Sequence, residues 1–220
     1  MGLGADAEGV PDDTSEEHGE ILTRRWVVEI ILDLAGFTAD RDLGGFVAVE
    51  TFCGAGAFSC RWSSASSRRC QRHDRPLTDI RTAPRAFDLL PANAELAQKA
   101  VAKALVDAGL ADLDARSIAA DCIRCDDFLL SSHDFLLSSH DFLLSSHDIR
   151  ADFVLGNPPY IGLEDVPAAR SAAYRRACPT MRGRSDIFVG FIETGLRLLG
   201  PNAGGLLLSD VAELSWRPIA

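Results

Sequence analysis

The sequence predicts an α/β fold in which a doubly wound, mostly parallel sheet is covered by helices on both faces. Short apolar and β-branched segments alternate with longer amphipathic segments, which is the pattern of successive β-α-β units. A glycine-bearing turn follows the first predicted strand, where open sheets of this kind bind ligands. A length of 220 residues with 47% hydrophobic residues suits one domain with a buried core.

The first predicted element is a helix over residues 21–34, because its apolar residues recur on one face and place Trp26 in the core. The strand at residues 46–50 is short and β-branched, and it leads into the turn at residues 51–56. A helix is expected at residues 59–73, although serine crowds this segment and competes for backbone hydrogen bonds. We therefore expect this helix to present serine and arginine where a buried apolar stripe should be.

The alternation of strands and helices continues through the rest of the chain. Apolar segments bounded by turn residues predict strands, and segments with an apolar residue every three or four positions predict helices. The predicted strands cover residues 86–89, 117–123, 153–155 and 205–209, and the predicted helices cover residues 93–108 and 187–199.

The chain is acidic, with a formal net charge of −10, and residues 1–18 are predicted to form a flexible acidic leader. An acidic surface repels phosphate, so nucleic-acid binding would require a local basic face or another chain segment. The sequence contains no apolar run of about 18 residues and no signal peptide. We therefore predict a cytoplasmic protein that does not bind membranes and whose six cysteines are free thiols.

The heptapeptide DFLLSSH occurs in three identical tandem copies, at residues 127–133, 134–140 and 141–147. Known repeat architectures use longer units that diverge from one another, so we interpret the copies at 134–147 as a duplication inserted into one loop. The alternative is a helix with one histidine per heptad on a single stripe, able to bind a metal or a partner. Without the insertion, Asp127 and Asn157 would be separated by a shorter connection.

The turn Asn157-Pro158-Pro159-Tyr160 is the strongest candidate for a catalytic site. Two successive prolines fix the backbone and remove two donors, which leaves carbonyl oxygens as acceptors. An amino group on a planar ring could donate one hydrogen to the Asn157 side chain and one to the Pro158 carbonyl, which would return lone-pair density to its nitrogen. Tyr160 supplies a ring on which a planar base can stack.

A second candidate site is the loop at residues 50–58, in which Gly54 and Gly56 allow a backbone to approach a ligand closely. The loop lacks the third glycine of a dinucleotide fingerprint and the lysine of a phosphate-binding loop, so a ligand without phosphates fits better. S-adenosyl-L-methionine is such a ligand. Asp88 stands where a carboxylate would accept its ribose hydroxyls, and Asp127 could meet its adenine amino group.

In order, these segments resemble the motifs of adenine-specific DNA methyltransferases of restriction-modification systems. The resemblance spans about residues 19–209 and implies the Rossmann-like fold of methyltransferases that depend on S-adenosyl-L-methionine. The matching segments are residues 19–23, 50–58, Asp88, 127–129, 152–160 and 184–188.

The resemblance also implies roles for individual residues. Thr23, Glu50 and Gly54 would hold the methionine end of the cofactor. The catalytic residues would be Asn157, Pro158, Pro159 and Tyr160, over which a target adenine flipped out of double-stranded DNA would lie. The full set of predicted cofactor residues is Thr23, Glu50, Cys53, Gly54, Gly56, Asp88 and Asp127. A restriction endonuclease or a specificity subunit is a possible partner.

Two departures from the family pattern limit these expectations. Thr51 stands where family members usually have proline, and the serine- and arginine-rich segment replaces an apolar helix. The sequence also stops at Ala220, so we expect residues 19–220 to be a C-terminally incomplete catalytic domain without a target-recognition region. An inactive remnant of such an enzyme is therefore an alternative to an active one.

The same residues are also compatible with other substrates and other sites. An Asn-Pro-Pro-Tyr turn also occurs in enzymes that methylate a release-factor glutamine or a guanine of ribosomal RNA. The basic residues around 174–176 and 182–184 are either DNA contacts or a solvated face. Cys122 and Cys125 have the spacing of a zinc knuckle, but no second close pair exists, so we predict no metal site.

Overall fold

A computed structural model describes residues 23, 25–37, 47–82, 84–131, 150–201 and 205–208. Within these ranges the chain forms a five-stranded sheet with the strand order β3-β2-β1-β4-β5, and every neighbouring pair is parallel. The strands are β1 (Ala48–Glu50), β2 (Pro84–Asp88), β3 (Ile123–Cys125), β4 (Phe153–Gly156) and β5 (Gly205–Leu208). The helices are α1 (Arg25–Leu34), α2 (Ala57–Arg72), α3 (Pro91–Asp107), α4 (Asp112–Cys122), α5 (Ala168–Ala177) and α6 (Ile187–Leu198), with a 3₁₀ helix at Leu77–Thr82.

Helices cover both faces of the sheet, which confirms the predicted doubly wound architecture. Alternate strand residues point to opposite faces, so Ala48 and Phe153 pack with α1 and α2 while Val49 and Val154 pack with α5 and α6. A third apolar cluster joins α3 and α4 to β2 through Ala86. Helix α2 contacts both α1 and α3, so the helices on its face form one continuous layer.

The serine-rich segment forms helix α2 despite the expected weakness. Ser63 and Ser67 donate their hydroxyl hydrogens to backbone carbonyls four residues earlier, both at 2.8 Å, which satisfies these polar groups inside the core. Trp62 is fully buried, and its ring meets that of Phe37 edge to face with the centroids 5.7 Å apart. The Arg69 guanidinium lies 4.7 Å from the centroid of the same Phe37 ring. The buried face of α2 therefore combines aromatic side chains with serines whose hydroxyls are hydrogen-bonded to the backbone.

Three sequence predictions about the elements were wrong. Residues 117–122 belong to helix α4, and the strand covers Ile123–Cys125 alone. The buried residues of α4 explain this, because they recur at helical spacing as Ala115, Ile118, Ala119 and Cys122. Helix α5 lies in a segment for which the sequence predicted no helix. Trp26 is 44% exposed rather than part of the core, because α1 buries the face that carries Val27, Val28, Ile31 and Leu32.

Two of the predicted segments lie in parts of the chain that the structure does not describe. The acidic leader at residues 1–18 and the repeat insertion at residues 134–147 lie outside the described residues. All six cysteines fall within the described ranges, and each is a free thiol, as predicted. None of the helices in these ranges has both the length and the apolar character needed to cross a membrane.

Candidate functional site

The loops that follow β1 and β4 lie side by side at the carboxyl edge of the sheet. Strands β1 and β4 are neighbours although two other strands separate them in the chain, so the winding changes direction between them. The backbone N–H of Thr51 donates to the carbonyl of Leu155 at 3.0 Å. Gly156 has a φ of 152°, and a Cβ there would lie 2.6 Å from Thr51 Oγ1. The glycine loop and the Asn157–Tyr160 turn are therefore in direct contact at their bases.

A cavity of about 440 Å³ opens at this edge. Of the predicted site residues, Asp88, Asp127 and Pro159 line it, together with Thr51 and Phe52 of the glycine loop. Its other walls come from the chain just before α3, from residues on either side of Asp127, from the segment between the Asn157–Tyr160 turn and α5, and from helices α5 and α6. The predicted cofactor residues Thr23, Glu50, Cys53, Gly54 and Gly56 are not part of the lining.

Asp88 connects the glycine loop to the start of α3. Its side chain is 1% exposed, with Oδ2 accepting from the Gly54 N–H at 2.8 Å and Oδ1 accepting from the Leu90 N–H at 2.9 Å. Asn93 adds a longer contact to Oδ1 at 3.4 Å. Asp88 also lines the cavity, so its carboxylate is placed where a ribose hydroxyl could donate to it.

Asp127 lines the same cavity and is hydrogen-bonded to Tyr174, which the sequence analysis placed among the candidate DNA contacts. The hydroxyl of Tyr174 donates to Asp127 Oδ2 at 2.7 Å, and Tyr174 is buried. Burial raises the pKa of Asp127, while the Tyr174 hydrogen bond and the charge of Arg170 oppose that rise. The possible role of Tyr174 in DNA contact is therefore not supported, because its side chain points into the domain.

Arg175 is exposed, but its guanidinium forms hydrogen bonds within the chain. Its guanidinium donates to the carbonyls of Met181 and Gly183, at 2.9 and 2.8 Å. These bonds fix the chain between α5 and α6 rather than leaving the charge for a phosphate. Arg176 and Arg184 are exposed.

Glu50, at the end of β1, is completely buried beneath the glycine loop. The Ser59 hydroxyl donates to its Oε2, whereas Oε1 has no hydrogen-bond partner within the described part of the chain. Burial raises the pKa of Glu50 to about 8, and the nearby charge of Asp88 acts in the same direction. Glu50 is therefore protonated at neutral pH in the absence of a cation beside it.

This pKa predicts a pH-dependent stability. Between about 4.5, the usual pKa, and about 8, the folded state binds more protons at Glu50 than the unfolded state does. The free energy of unfolding should therefore fall as pH rises through this window, by up to several kcal/mol relative to Glu50→Gln. Urea unfolding of both proteins between pH 5 and pH 8 measures the difference. Parallel pH profiles for the two proteins would contradict a raised Glu50 pKa.

The two glycines of the loop have different roles in the structure. Gly54 donates its N–H to Asp88, as described above. Gly56 has a φ of +88° and packs against α3, where an added Cβ would lie 2.9 Å from Ala97 Cα. The absence of a side chain at Gly56 thus allows α2 to start close to α3, which is a packing requirement.

We expect Gly56→Ala to lower the free energy of unfolding by roughly 2–4 kcal/mol, since it combines an unfavourable φ with a clash against backbone. Gly109→Ala is the matched control, because Gly109 has a φ of +103° but no atom within 4 Å of an added Cβ. The control should cost about 1 kcal/mol from φ strain alone. Equal losses in the two variants, measured by urea unfolding, would exclude the close approach of α2 and α3 as the cause.

In the Asn157–Tyr160 turn the first residue is buried and is hydrogen-bonded to the last. Asn157 is 5% exposed, and its Oδ1 accepts a hydrogen bond from the Tyr160 hydroxyl at 3.2 Å. The Tyr160 ring is stacked on that of Phe188 in α6, with centroids 5.4 Å apart and planes 26° apart. An incoming planar base would compete with Phe188 for this face of Tyr160, and an amino group would share Asn157 Oδ1 with the hydroxyl.

Several cavity residues escaped the sequence analysis. Phe128 and Phe191 line the cavity and stack on each other with centroids 5.3 Å apart. Ile187 and Phe191 lie one turn apart on α6, so the helical periodicity could have indicated a common face. Tyr174 and Arg170 carry no such local signal, because their partner Asp127 lies more than 40 residues away in the chain.

The lining fits an adenosyl group. Pockets for small ligands have volumes of roughly 300–1,000 Å³ and combine apolar walls with a few polar groups, and this cavity of about 440 Å³ falls in that range. Asp88 and Asp127 offer acceptors for hydroxyl and amino hydrogens, and the aromatic walls suit a purine ring. Glu50 lies outside this lining, but within the described residues its buried Oε1 has no donor, and an ammonium group could supply one directly or through water.

Comparison with known proteins gives consistent matches. The family model for Eco57I restriction-modification methylases matches residues 88–209. The Type II methyltransferase M.XhoI of Xanthomonas vasicola is 33% identical over 87% of this chain, and M.PaeR7I of Pseudomonas aeruginosa is 36% identical over 87%. M.BstVI of Geobacillus stearothermophilus is 28% identical over 88%. The matches cover 33%, 31% and 34% of these proteins, so the chain spans about a third of their length.

A solved structure supports the fold. A Listeria monocytogenes protein assigned to the class I S-adenosylmethionine-dependent methyltransferases superposes with a TM-score of 0.52. It is 14% identical, and the match covers 92% of this chain and 52% of that one. The predicted Rossmann-like fold of these methyltransferases is confirmed.

Proposed function

The chain belongs to the Eco57I restriction-modification methylase family, and on that premise we propose that it transfers a methyl group from S-adenosyl-L-methionine to the exocyclic amino group of adenine in double-stranded DNA. Family and fold imply this cofactor. The observation that carries the proposal is the contact between the two loops at the switch point. Thr51 of the glycine loop touches Gly156, the residue before Asn157, so a cofactor and a base could meet there.

In the proposed reaction Asn157 and Pro158 orient the nucleophile. One hydrogen of the adenine amino group is donated to Asn157 Oδ1 and the other to the Pro158 carbonyl, which draws the hydrogens out of the ring plane and returns lone-pair density to the nitrogen. The turn that carries both acceptors is rigid, so their geometry needs little reorganisation. When bound, the cofactor supplies an electrophilic methyl group on its sulfonium sulfur.

Tyr160 provides the stacking surface for the flipped base. In the structure Phe188 covers that ring, so the adenine either replaces Phe188 or separates the two rings. The Tyr160 hydroxyl donates to Asn157 Oδ1, so the amino group would share this acceptor oxygen with the hydroxyl. Transfer of the methyl group releases one proton from the amino nitrogen and leaves S-adenosylhomocysteine.

On the cofactor side, Asp88 accepts the ribose hydroxyls and Asp127 accepts from the adenine amino group. Both carboxylates line the cavity. Glu50 and Gly54, with Cys53, Gly56 and Thr23, would surround the methionine end. The buried Glu50 carboxyl would ionise when the ammonium group of the cofactor lies near its Oε1, and this would release a proton on binding.

We further propose that residues 19–220 are the catalytic part of a longer enzyme. The relatives are about three times as long, and the acidic chain needs a basic DNA-binding surface from elsewhere. A recognition region, a specificity subunit or a paired endonuclease would then be partners. The cytoplasmic location expected from the sequence is part of this proposal.

Transfer of tritiated methyl groups tests the proposal. The 220-residue chain is incubated with methyl-labelled S-adenosyl-L-methionine and unmethylated genomic DNA, and the DNA is digested to nucleosides. We expect label in N6-methyladenine. Parallel reactions contain ribosomal RNA or a release factor.

Each outcome has a distinct meaning. Label in RNA or in the release factor instead of DNA would overturn the substrate class. Cofactor binding without transfer to any acceptor would show that this chain alone is inactive, either as a remnant or because it needs the DNA-binding region proposed above. Failure to bind S-adenosylhomocysteine in calorimetry would reject the cofactor site itself.

A further inference from the structure

Helix α5 places one buried side chain, Tyr174, against the cofactor side of the cavity. The helix starts at Ala168, shortly after the Asn157–Tyr160 turn, and most of its residues are exposed. Tyr174 is 5% exposed and is the buried residue of this helix. Its hydroxyl donates to Asp127 Oδ2 at 2.7 Å.

The carboxylate of Asp127 is held at both oxygens. Oδ1 accepts from the Leu129 N–H at 3.0 Å, at the start of the helical turn of residues 128–131. The neighbouring Asp126 N–H donates to the carbonyl of Asp88 at 2.8 Å, which ties this segment to the end of β2. With Tyr174 on Oδ2, rotation of the Asp127 carboxylate about its side-chain bonds is restricted.

Burial and the surrounding charges determine whether Tyr174 and Asp127 are ionised. Burial raises the pKa of Tyr174, so its hydroxyl stays protonated and acts as a donor. Arg170 lies one helical turn before Tyr174, lines the same cavity and favours the ionised form of Asp127, whereas Asp126 opposes it. Asp127 can thus remain an acceptor despite its burial.

We propose that Tyr174 is a positioning residue that fixes the Asp127 carboxylate so that it selects a 6-amino purine over a 6-oxo purine in the cofactor. The inference rests on the proposed function, in which Asp127 contacts the cofactor's adenine. A 6-amino group donates hydrogens toward a fixed carboxylate. A 6-oxo ring presents a carbonyl oxygen to that carboxylate, and its nearest donor is the N1–H. A carboxylate that is free to rotate could reach this N1–H, whereas a fixed one could not.

Calorimetry with two ligands tests the inference on the 220-residue chain. The ligands are S-adenosylhomocysteine and its 6-oxo counterpart, S-inosylhomocysteine. Tyr174→Phe removes the hydroxyl and keeps the buried ring. We expect the ratio of the dissociation constant for S-inosylhomocysteine to that for S-adenosylhomocysteine to fall about tenfold in Tyr174→Phe. This is the size expected for one charge-assisted hydrogen bond. Arg176→Ala, an exposed change on the same helix, should leave the ratio unaltered.

Asp127→Ala separates the inference from the proposed function. If Asp127→Ala abolishes the preference for the 6-amino ligand but Tyr174→Phe retains it, the positioning role is overturned and the cofactor site stands. If Tyr174→Phe weakens both ligands equally and lowers the thermal midpoint, Tyr174 is structural and the inference is again overturned. A wild-type chain that binds neither ligand would reject the cofactor site and the role of Tyr174 together.

Discussion

Replacement of Asn157 by alanine should lower the rate of methyl transfer by about 10²–10³-fold, the usual cost of removing one oriented hydrogen-bonding group from a transition state. The amide oxygen would draw a hydrogen of the target amino group out of the ring plane, and alanine cannot do so. Because Asn157 is not part of the cavity lining, the dissociation constant for S-adenosylhomocysteine should change by less than about threefold.

Asn157→Asp is the graded control. Aspartate keeps an oxygen of similar position but adds a negative charge, so part of the rate should remain. Single-turnover transfer of tritiated methyl groups to DNA measures the rate, and calorimetry measures cofactor binding. Parallel losses of rate and of cofactor affinity in Asn157→Ala would show that Asn157 supports the fold of the turn rather than the chemistry.

The sheet could be predicted from the sequence because its strands end at recognisable turns. Strands β1 and β4 are short apolar runs that end at the glycine loop and at the Asn157–Tyr160 turn, and both were placed within two residues of their bounds. Helix α4 was misread because its aliphatic residues resemble a buried strand when their spacing is ignored. The penalty for serine in α2 was overestimated, since bonds from Ser63 and Ser67 to the preceding turn satisfy their hydroxyls.

Parts of the site that are consecutive in the sequence could be predicted, whereas parts created by packing could not. Asn157 and its prolines form one motif, and Asp88 follows a strand, so each carries a local signal. The bond between Tyr174 and Asp127 joins α5 to a segment that precedes the repeat insertion at residues 134–147, and it depends on how α5 packs on the sheet. The raised pKa of Glu50 could not be predicted for the same reason. It arises from burial, and burial depends on surroundings that the local sequence does not describe.

Replacement of Asp88 by alanine should have the largest effect on cofactor binding. The carboxylate accepts from Gly54 and Leu90 at 2.8 and 2.9 Å and also lines the cavity, so its loss both frees the glycine loop and removes an acceptor for ribose. We expect the dissociation constant for S-adenosylhomocysteine to rise by more than about 100-fold and the free energy of unfolding to fall by roughly 3–5 kcal/mol, because buried N–H groups lose a charged partner.

Asp88→Asn distinguishes the carboxylate from a side chain of the same shape. An amide offers one acceptor oxygen, and its NH₂ group would face either the Gly54 or the Leu90 N–H, donor against donor. The Asn variant should therefore recover at most about half of the lost stability. Asn93→Ala, which removes the contact of 3.4 Å but leaves the Gly54 and Leu90 bonds to Asp88, should change either quantity far less. Wild-type affinity and stability in Asp88→Asn would contradict this role, because a single acceptor would then suffice to hold the loop.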